Sequence, residues 1–207
     1  MNISINDDYT AYNLESFAEI VSYVSKGRSG SQLAERLAEK YGTLDNCFSA
    51  PPDELELLVG KKAAAYIKVL AAVTSRRITD LFEFGRTHSA AEIGEYFAAR
   101  LLSESVETVL AMYLDREGGA ISCCVVGEGT VNMSDIITRR IIEYAVEFGS
   151  KRVILAHNHP MGVAQASAED VNMTAKLFEV LSRAGINLEY HLVVSGMECD
   201  AVDYEGV

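Results

Sequence analysis

Two of the four histidines of this 207-residue chain stand one residue apart, in the segment VILAHNHPMGVAQASAEDV (153–171). His157 and His159 follow an apolar run that is typical of a buried strand, and Pro160 and Gly162 then end it. Side chains on a strand alternate between its faces, so the two imidazoles point the same way. Two adjacent imidazoles at a strand end can hold one zinc ion.

A serine and an aspartate follow the histidines. Asp170 is expected in the first turn of the next helix, where its carboxylate can reach back as a third ligand and leave a fourth position for water. Ser167 and Asp170 are equally the N-cap and N3 residues of an ordinary helix start, and taken alone that interpretation is the stronger one. The two interpretations are compatible, because Ser167 can open the helix while its hydroxyl faces the metal.

The segment lies within a longer alternation of strands and helices. Strand patterns cover 106–115, 120–129, 152–157 and 187–196, and helical patterns cover 90–102, 134–150 and 167–185. Strands interleaved with helices over this length predict an α/β sandwich around a mixed sheet.

The preceding residues have a different pattern, that of several short helices. Helices are predicted over 14–24, 31–42, 50–60 and 61–84. The sequence therefore predicts a small helical domain, 1–86, followed by an α/β domain, 87–207. His88 is expected at the surface of the linker between them.

Charge is distributed unevenly along the chain. The formal net charge is −12, of which residues 1–86 contribute −2 and residues 88–207 contribute −10. Such acidity makes the second half a poor surface for phosphate backbones. No apolar run reaches about 18 residues, so no membrane span is predicted. The four cysteines lack a CxxC spacing, which favours a cytoplasmic protein with reduced thiols.

The pattern H-x-H-x7-S-x2-D over residues 157–170 resembles the signature of the JAMM (MPN-plus) metalloproteases. The longer string HNHPxG followed by S-x2-D resembles the RadC family, long labelled as DNA repair proteins. The resemblance extends to GTVNMSDIITRRIIEYAVEFGSKRVIL, GINLEYHLVVSG and LLVGKKAAAYI, and so covers nearly the whole chain. It implies a cytidine-deaminase-like α/β/α sandwich with a mixed sheet.

The resemblance also implies roles for individual residues. His157, His159 and Asp170 would bind Zn²⁺, and Glu107 would be the general base that takes a proton from the metal's water. The Ser167 hydroxyl would donate a hydrogen bond to the oxyanion. The reaction implied is hydrolysis of an amide or isopeptide bond in a peptide or protein substrate. The alternative is that Glu107 is an ordinary exposed glutamate at a strand end, a position that Glu104 could equally fill.

Three positions depart from the usual family pattern. Met161 stands where the family usually has serine. Ala166 stands where a proline usually precedes the serine, which leaves the loop less constrained. Tyr190 stands where an aspartate usually precedes His191, and a tyrosine can donate a hydrogen bond but supplies no charge. His191 itself is expected to be a hydrogen-bonded strand residue and not a ligand, because three ligands and water complete a zinc site.

The helical half resembles a degenerate helix-hairpin-helix module. Leu58 stands where the first glycine of the hairpin would let the backbone approach a DNA phosphate, although Lys61 and Lys62 remain. The half is expected to pack, dimerise or contact protein, with DNA disfavoured by charge and by Leu58. The sequence leaves open whether the chain forms a homo-oligomer. The alternative to a zinc hydrolase is a DNA-repair-associated or scaffolding protein with a vestigial metal centre.

Overall fold

The computed structural model describes residue 19 and residues 30–129 and 134–204, and the helix predicted over 14–24 lies outside these ranges apart from residue 19. From residue 30 onward, the helices in the described ranges are α1 (Gly30–Tyr41), α2 (Leu44–Ser49), α3 (Pro52–Val59), α4 (Lys61–Thr79), α5 (Ala90–Leu101), α6 (Ser134–Phe148) and α7 (Ala168–Arg183). The strands are β1 (Thr108–Leu114), β2 (Ala120–Glu128), β3 (Arg152–Asn158), β4 (Asn187–Ser195) and β5 (Glu198–Ala201). No helix in the described ranges is both long and apolar enough to cross a bilayer.

The five strands form one mixed sheet in the order β2-β1-β3-β4-β5. Strands β3 and β4 are parallel, and the other neighbouring pairs are antiparallel. Helix α5 packs on one face of the sheet, through an apolar core that includes Phe97 and Met112. Helices α6 and α7 pack on the other face, where Ile141 and Leu177 meet Leu155 of β3. The predicted α/β sandwich around a mixed sheet is confirmed.

The structure differs from the sequence prediction around the linker. The helix predicted to run to residue 84 ends at Thr79, because Phe82 turns back to pack its ring 4.3 Å from that of Tyr96. The prediction that His88 is at the surface is wrong, since its side chain is 1% exposed. Its imidazole stacks on Phe82 with ring centroids 3.9 Å apart. The short elements α2 and β5 had no recognisable periodicity and were not predicted.

The helical half contacts the sheet where α2 meets the turn between β4 and β5. The amide of Met197 donates a hydrogen bond to the Asp45 carboxylate at 3.3 Å. Gly196 has a left-handed φ of +58°, and a Cβ at this residue would lie 2.5 Å from the Cβ of Asp45. Glycine is therefore required here both for its backbone conformation and for its lack of a side chain.

A Gly196→Ala substitution is expected to lower the free energy of unfolding by about 3 kcal/mol, against about 1 kcal/mol for Gly185→Ala. Gly185 is the matched control, since its φ is +74° and a Cβ there would meet no atom within 4 Å. Urea denaturation of the full chain measures both values. Equal losses in the two variants would show that the contact with Asp45 does not constrain the turn.

Candidate metal centre

The structure brings three of the predicted residues together at one end of the sheet. His157 is the penultimate residue of β3, His159 follows the strand, and Asp170 is in the first turn of α7. The Nε2 atoms of His157 and His159 are 3.1 Å apart. The Asp170 carboxylate lies 3.2 Å from His157 Nε2 through Oδ1 and 3.3 Å from His159 Nε2 through Oδ2. His157, His159 and Asp170 thus form a group that could hold one metal ion.

The spacing and chemistry of these donors fit a zinc ion. Ligands at the corners of a tetrahedron around zinc are about 3.3 Å apart when the bonds are about 2.0–2.1 Å long. His159 Nδ1 lies 3.3 Å from the Val163 carbonyl oxygen, so it is the protonated nitrogen and Nε2 carries the lone pair. Lone pairs of two imidazoles and a carboxylate at this separation repel one another unless a cation or protons lie between them.

Ser167 and Asp170 also begin the helix, as the second interpretation of the sequence predicted. The Asp170 amide donates to Ser167 Oγ at 3.1 Å, and Asp170 Oδ2 accepts from the Ser167 amide at 2.8 Å and its hydroxyl at 2.7 Å. Burial raises the pKa of the Asp170 carboxyl, but the neighbouring His157 imidazole and the hydrogen bonds from Ser167 outweigh it and hold that pKa well below its usual range. His157 and the helix cap together keep Asp170 ionised, and the cap keeps its carboxylate directed at the histidines.

His191 lies directly behind His157, away from the metal position. Its Nε2 is 2.9 Å from His157 Nδ1, and its Nδ1 is 2.6 Å from Thr174 Oγ1 on α7. Burial, followed by the neighbouring His157, lowers the pKa of His191 to about 3, so the ring is neutral. The prediction that His191 is hydrogen-bonded is thus confirmed. Tyr190 is 56% exposed, and the residue that holds His191 is Thr174.

Asn158, between the two histidines, forms hydrogen bonds with the backbone of the segment that leads into β1. Its Oδ1 accepts from the Thr108 amide at 2.7 Å, and its Nδ2 donates to the carbonyls of Glu104 at 3.3 Å and Val106 at 3.1 Å. The Asn158 side chain is buried, and the alternation of the strand directs it to the face opposite His157. One strand residue thus holds the backbone on both sides of Glu107.

Glu107 is at the same end of the sheet as the three donors. Val109 pairs with His157 across β1 and β3, and Glu107 immediately precedes β1, two residues before Val109. The Glu107 carbonyl accepts from the Gly129 amide at 2.7 Å, and its side chain is exposed. Within the described residues its carboxylate makes no hydrogen bond to the three donors. Glu104 lies within electrostatic range of Lys68 in the helical half.

Replacing Asn158 with alanine is expected to lower the free energy of unfolding by about 3 kcal/mol, because the buried Thr108 amide and two carbonyls lose their partner. The measurement is urea denaturation of the full chain. An Asn172→Ala variant is the matched control, since the amide of that exposed asparagine only bonds a carbonyl in its own helix. A loss no larger than that of the control would contradict the role given to Asn158.

Sequence reasoning missed Asn158 and Thr174 as parts of the site. A signal was present for the first, because asparagine is depleted in strands and this one stands between two candidate ligands at a strand end. None was present for Thr174, which reads as one of many helix residues.

Comparison with known proteins agrees with the geometry. A mixed sheet with helices on both faces and a His-His-Asp group at its strand ends is a JAB/MPN-like α+β fold. A family profile described as a RadC-like JAB domain matches residues 87–205. A UPF0758 protein of Bordetella petrii is 31% identical over 175 residues, covering 83% of this chain and 78% of the relative. A UPF0758 protein of Photobacterium profundum is 27% identical over 184 residues, covering 87% and 82%. The chain belongs to the RadC family.

Proposed function

We propose that this RadC-family protein is a zinc-dependent hydrolase that cleaves amide bonds, in peptide or isopeptide linkage. The observation that carries the proposal is the convergence of His157 Nε2, His159 Nε2 and the Asp170 carboxylate, 3.1–3.3 Å apart, beside the strand end where Glu107 is exposed. Two imidazoles and one carboxylate are the donor set of many catalytic zinc sites, which keep one coordination position for water.

Zinc is the metal that this donor set favours, since imidazole suits it and no thiolate is among the donors. Bound there, zinc would lower the pKa of a coordinated water and polarise the carbonyl that is attacked. His157, His159 and Asp170 would hold the ion, and the Ser167 hydrogen bonds to Asp170 would keep the carboxylate oriented and charged.

Glu107 and Ser167 would act on the substrate. The Glu107 carboxylate would accept the proton of the attacking water and return it to the leaving amine. The Ser167 hydroxyl donates to Asp170 Oδ2 in this structure, so it would have to exchange that acceptor for the oxyanion of the substrate. Such an exchange leaves the Ser167 amide on Asp170, and the helix cap is kept.

A peptide or protein substrate suits the surface around the site better than a nucleic acid does. Residues 88–207 carry a net charge of −10, which repels phosphodiesters. The loop between His159 and Ser167 exposes the apolar side chains of Met161 and Val163, at 38% and 66%. Apolar side chains beside a polar centre are the usual contacts for a peptide chain.

The experiment is a cleavage assay with the full chain, loaded with one equivalent of zinc, on a peptide library and on peptides joined through a lysine ε-amide. Mass spectrometry detects new termini, and bis-p-nitrophenyl phosphate tests phosphodiester hydrolysis in parallel. The expected result is amide cleavage that disappears on chelation and returns with zinc, and no phosphodiester hydrolysis. Zinc-dependent phosphodiester hydrolysis, or no cleavage of any library member, would overturn the proposal.

A further inference from the structure

Three buried contacts connect His157 to the backbone of the helix that carries Asp170. His157 Nδ1 is 2.9 Å from His191 Nε2, and His191 Nδ1 is 2.6 Å from Thr174 Oγ1. Thr174 Oγ1 is in turn 2.6 Å from the carbonyl oxygen of Asp170. His191 and Thr174 are 1% and 0% exposed, so water does not compete for these groups. The chain of contacts begins at one candidate ligand and ends on the backbone of another.

A single arrangement of protons satisfies all three contacts. A carbonyl oxygen only accepts, so the Thr174 hydroxyl donates its one hydrogen to Asp170. Thr174 Oγ1 can then only accept from His191, which makes Nδ1 a protonated nitrogen of that ring. The ring is buried and has no carboxylate among its hydrogen-bond partners, so it carries a single hydrogen. His191 Nε2 is left as an acceptor, and His157 Nδ1 must carry the hydrogen donated to it. The Nε2 atom of His157 therefore has its lone pair free, directed at Asp170 and His159.

We propose that Thr174 and His191 are positioning residues, which hold His157 in the tautomer whose Nε2 can bind a metal ion. The inference rests on the proposed function only for the presence of a metal at this centre, and not for hydrolysis. Neither residue touches the metal position. Thr174 acts through His191, and His191 acts through His157.

We call the hydrogen-bonded chain His157–His191–Thr174 the relay. It makes the tautomer of His157 depend on the Thr174 hydroxyl, which His157 does not contact. Without that hydroxyl, His191 Nδ1–H would be buried with no acceptor, which is unfavourable. Moving the proton to His191 Nε2 removes this penalty, but Nε2–H must then donate to His157 Nδ1. The His157 hydrogen is displaced to its own Nε2, the atom that would bind the metal. Loss of one methyl-sized polar group in α7 would thus block a ligand on β3.

The test compares Thr174→Val with Thr174→Ser in the full chain. Valine keeps the shape of the side chain and removes the hydroxyl, whereas serine keeps the hydroxyl and removes the methyl group. Zinc affinity is measured by competition with a chromophoric chelator, and circular dichroism checks that both variants fold. We expect zinc affinity to fall 10–100-fold in Thr174→Val, as is typical when a partner of a metal ligand is lost, and to stay unchanged in Thr174→Ser.

A second measurement reads the tautomer directly, without any metal. In ¹⁵N-correlated NMR spectra of the metal-free protein, His157 should be protonated at Nδ1 in the wild type and in Thr174→Ser. It should be protonated at Nε2 in Thr174→Val. A wild-type His157 without a hydrogen on Nδ1 would overturn the inference whatever the variants do. So would equal zinc affinity in the valine and serine variants.

The two proposals fail separately. The tautomer and the zinc affinity are read without substrate, so an absence of amide cleavage would overturn the hydrolase function and leave the relay intact. Conversely, normal zinc binding by Thr174→Val together with amide cleavage by the wild type would overturn only the relay.

Discussion

A Glu107→Gln variant is expected to bind zinc as the wild type does and to lose amide hydrolysis by about 10²–10⁴-fold. The amide of glutamine has nearly the shape of the carboxylate but cannot take up the proton of the attacking water. The side chain is exposed, Asn158 bonds the backbone of the residues on either side of it, and the Gly129 amide bonds its own carbonyl, so the fold should not change. The measurement is kcat on a cleaved peptide, with metal content determined on the same sample.

Glu104→Gln is the matched control for this prediction. Glu104 precedes the same strand, its carbonyl accepts from the same Asn158 side chain, and its carboxylate lies within electrostatic range of Lys68 in the helical half. Its variant should hydrolyse the peptide at the wild-type rate. If Glu104→Gln lost activity and Glu107→Gln kept it, the assignment of the base would be wrong. Full activity in both would exclude a carboxylate base on this segment.

An Asp170→Asn variant is expected to lower zinc affinity by more than about 100-fold, beyond the 10–100-fold effect of losing an outer partner. The substitution removes the charged donor, yet an asparagine oxygen can still accept from the Ser167 amide, so α7 keeps its cap. Isothermal titration gives the affinity. The melting temperature gives a second readout, because zinc should raise it in the wild type and hardly at all in the variant.

Glu169→Gln is the control for Asp170→Asn. It removes the same charge one residue earlier, in the same first turn of α7, from an exposed side chain. A general effect of charge at the helix N-terminus would appear in both variants to a similar degree. Equal zinc affinity in Asp170→Asn and the wild type would show that the ion, if bound, does not use this carboxylate.

The local part of the centre follows from short-range rules, and so it could be predicted from the sequence. The alternation of a strand puts His157 and His159 on one face within three residues. The capping pattern then fixes Asp170 one turn into the next helix, with Ser167 at its start. Each of these relations spans fewer than about fifteen residues, over which backbone geometry alone determines where a side chain points.

The tertiary structure decided which residues stand behind the ligands. Strict alternation along β4 from Leu188, which packs in the core with α7, would turn His191 to the opposite face. A register shift between β3 and β4, opposite Val153 and Ile154, pairs His191 with Leu155 and so brings it to the face of His157. Tyr190 is turned away by the same shift.

The hydrogen-bond partners of Asn158 and Thr174 also depend on the tertiary structure. Asn158 bonds residues about fifty positions earlier, and Thr174 meets His191 seventeen positions later. Such partners depend on which strands become neighbours and in which register. The pattern of a single segment predicts neither. The sequence by itself determined the three candidate ligands and the sandwich that holds them. What orients His157 was decided by the packing of α7 against β4 with its register shift. That packing brings Thr174 and His191, which are distant in sequence, into contact in the buried interior.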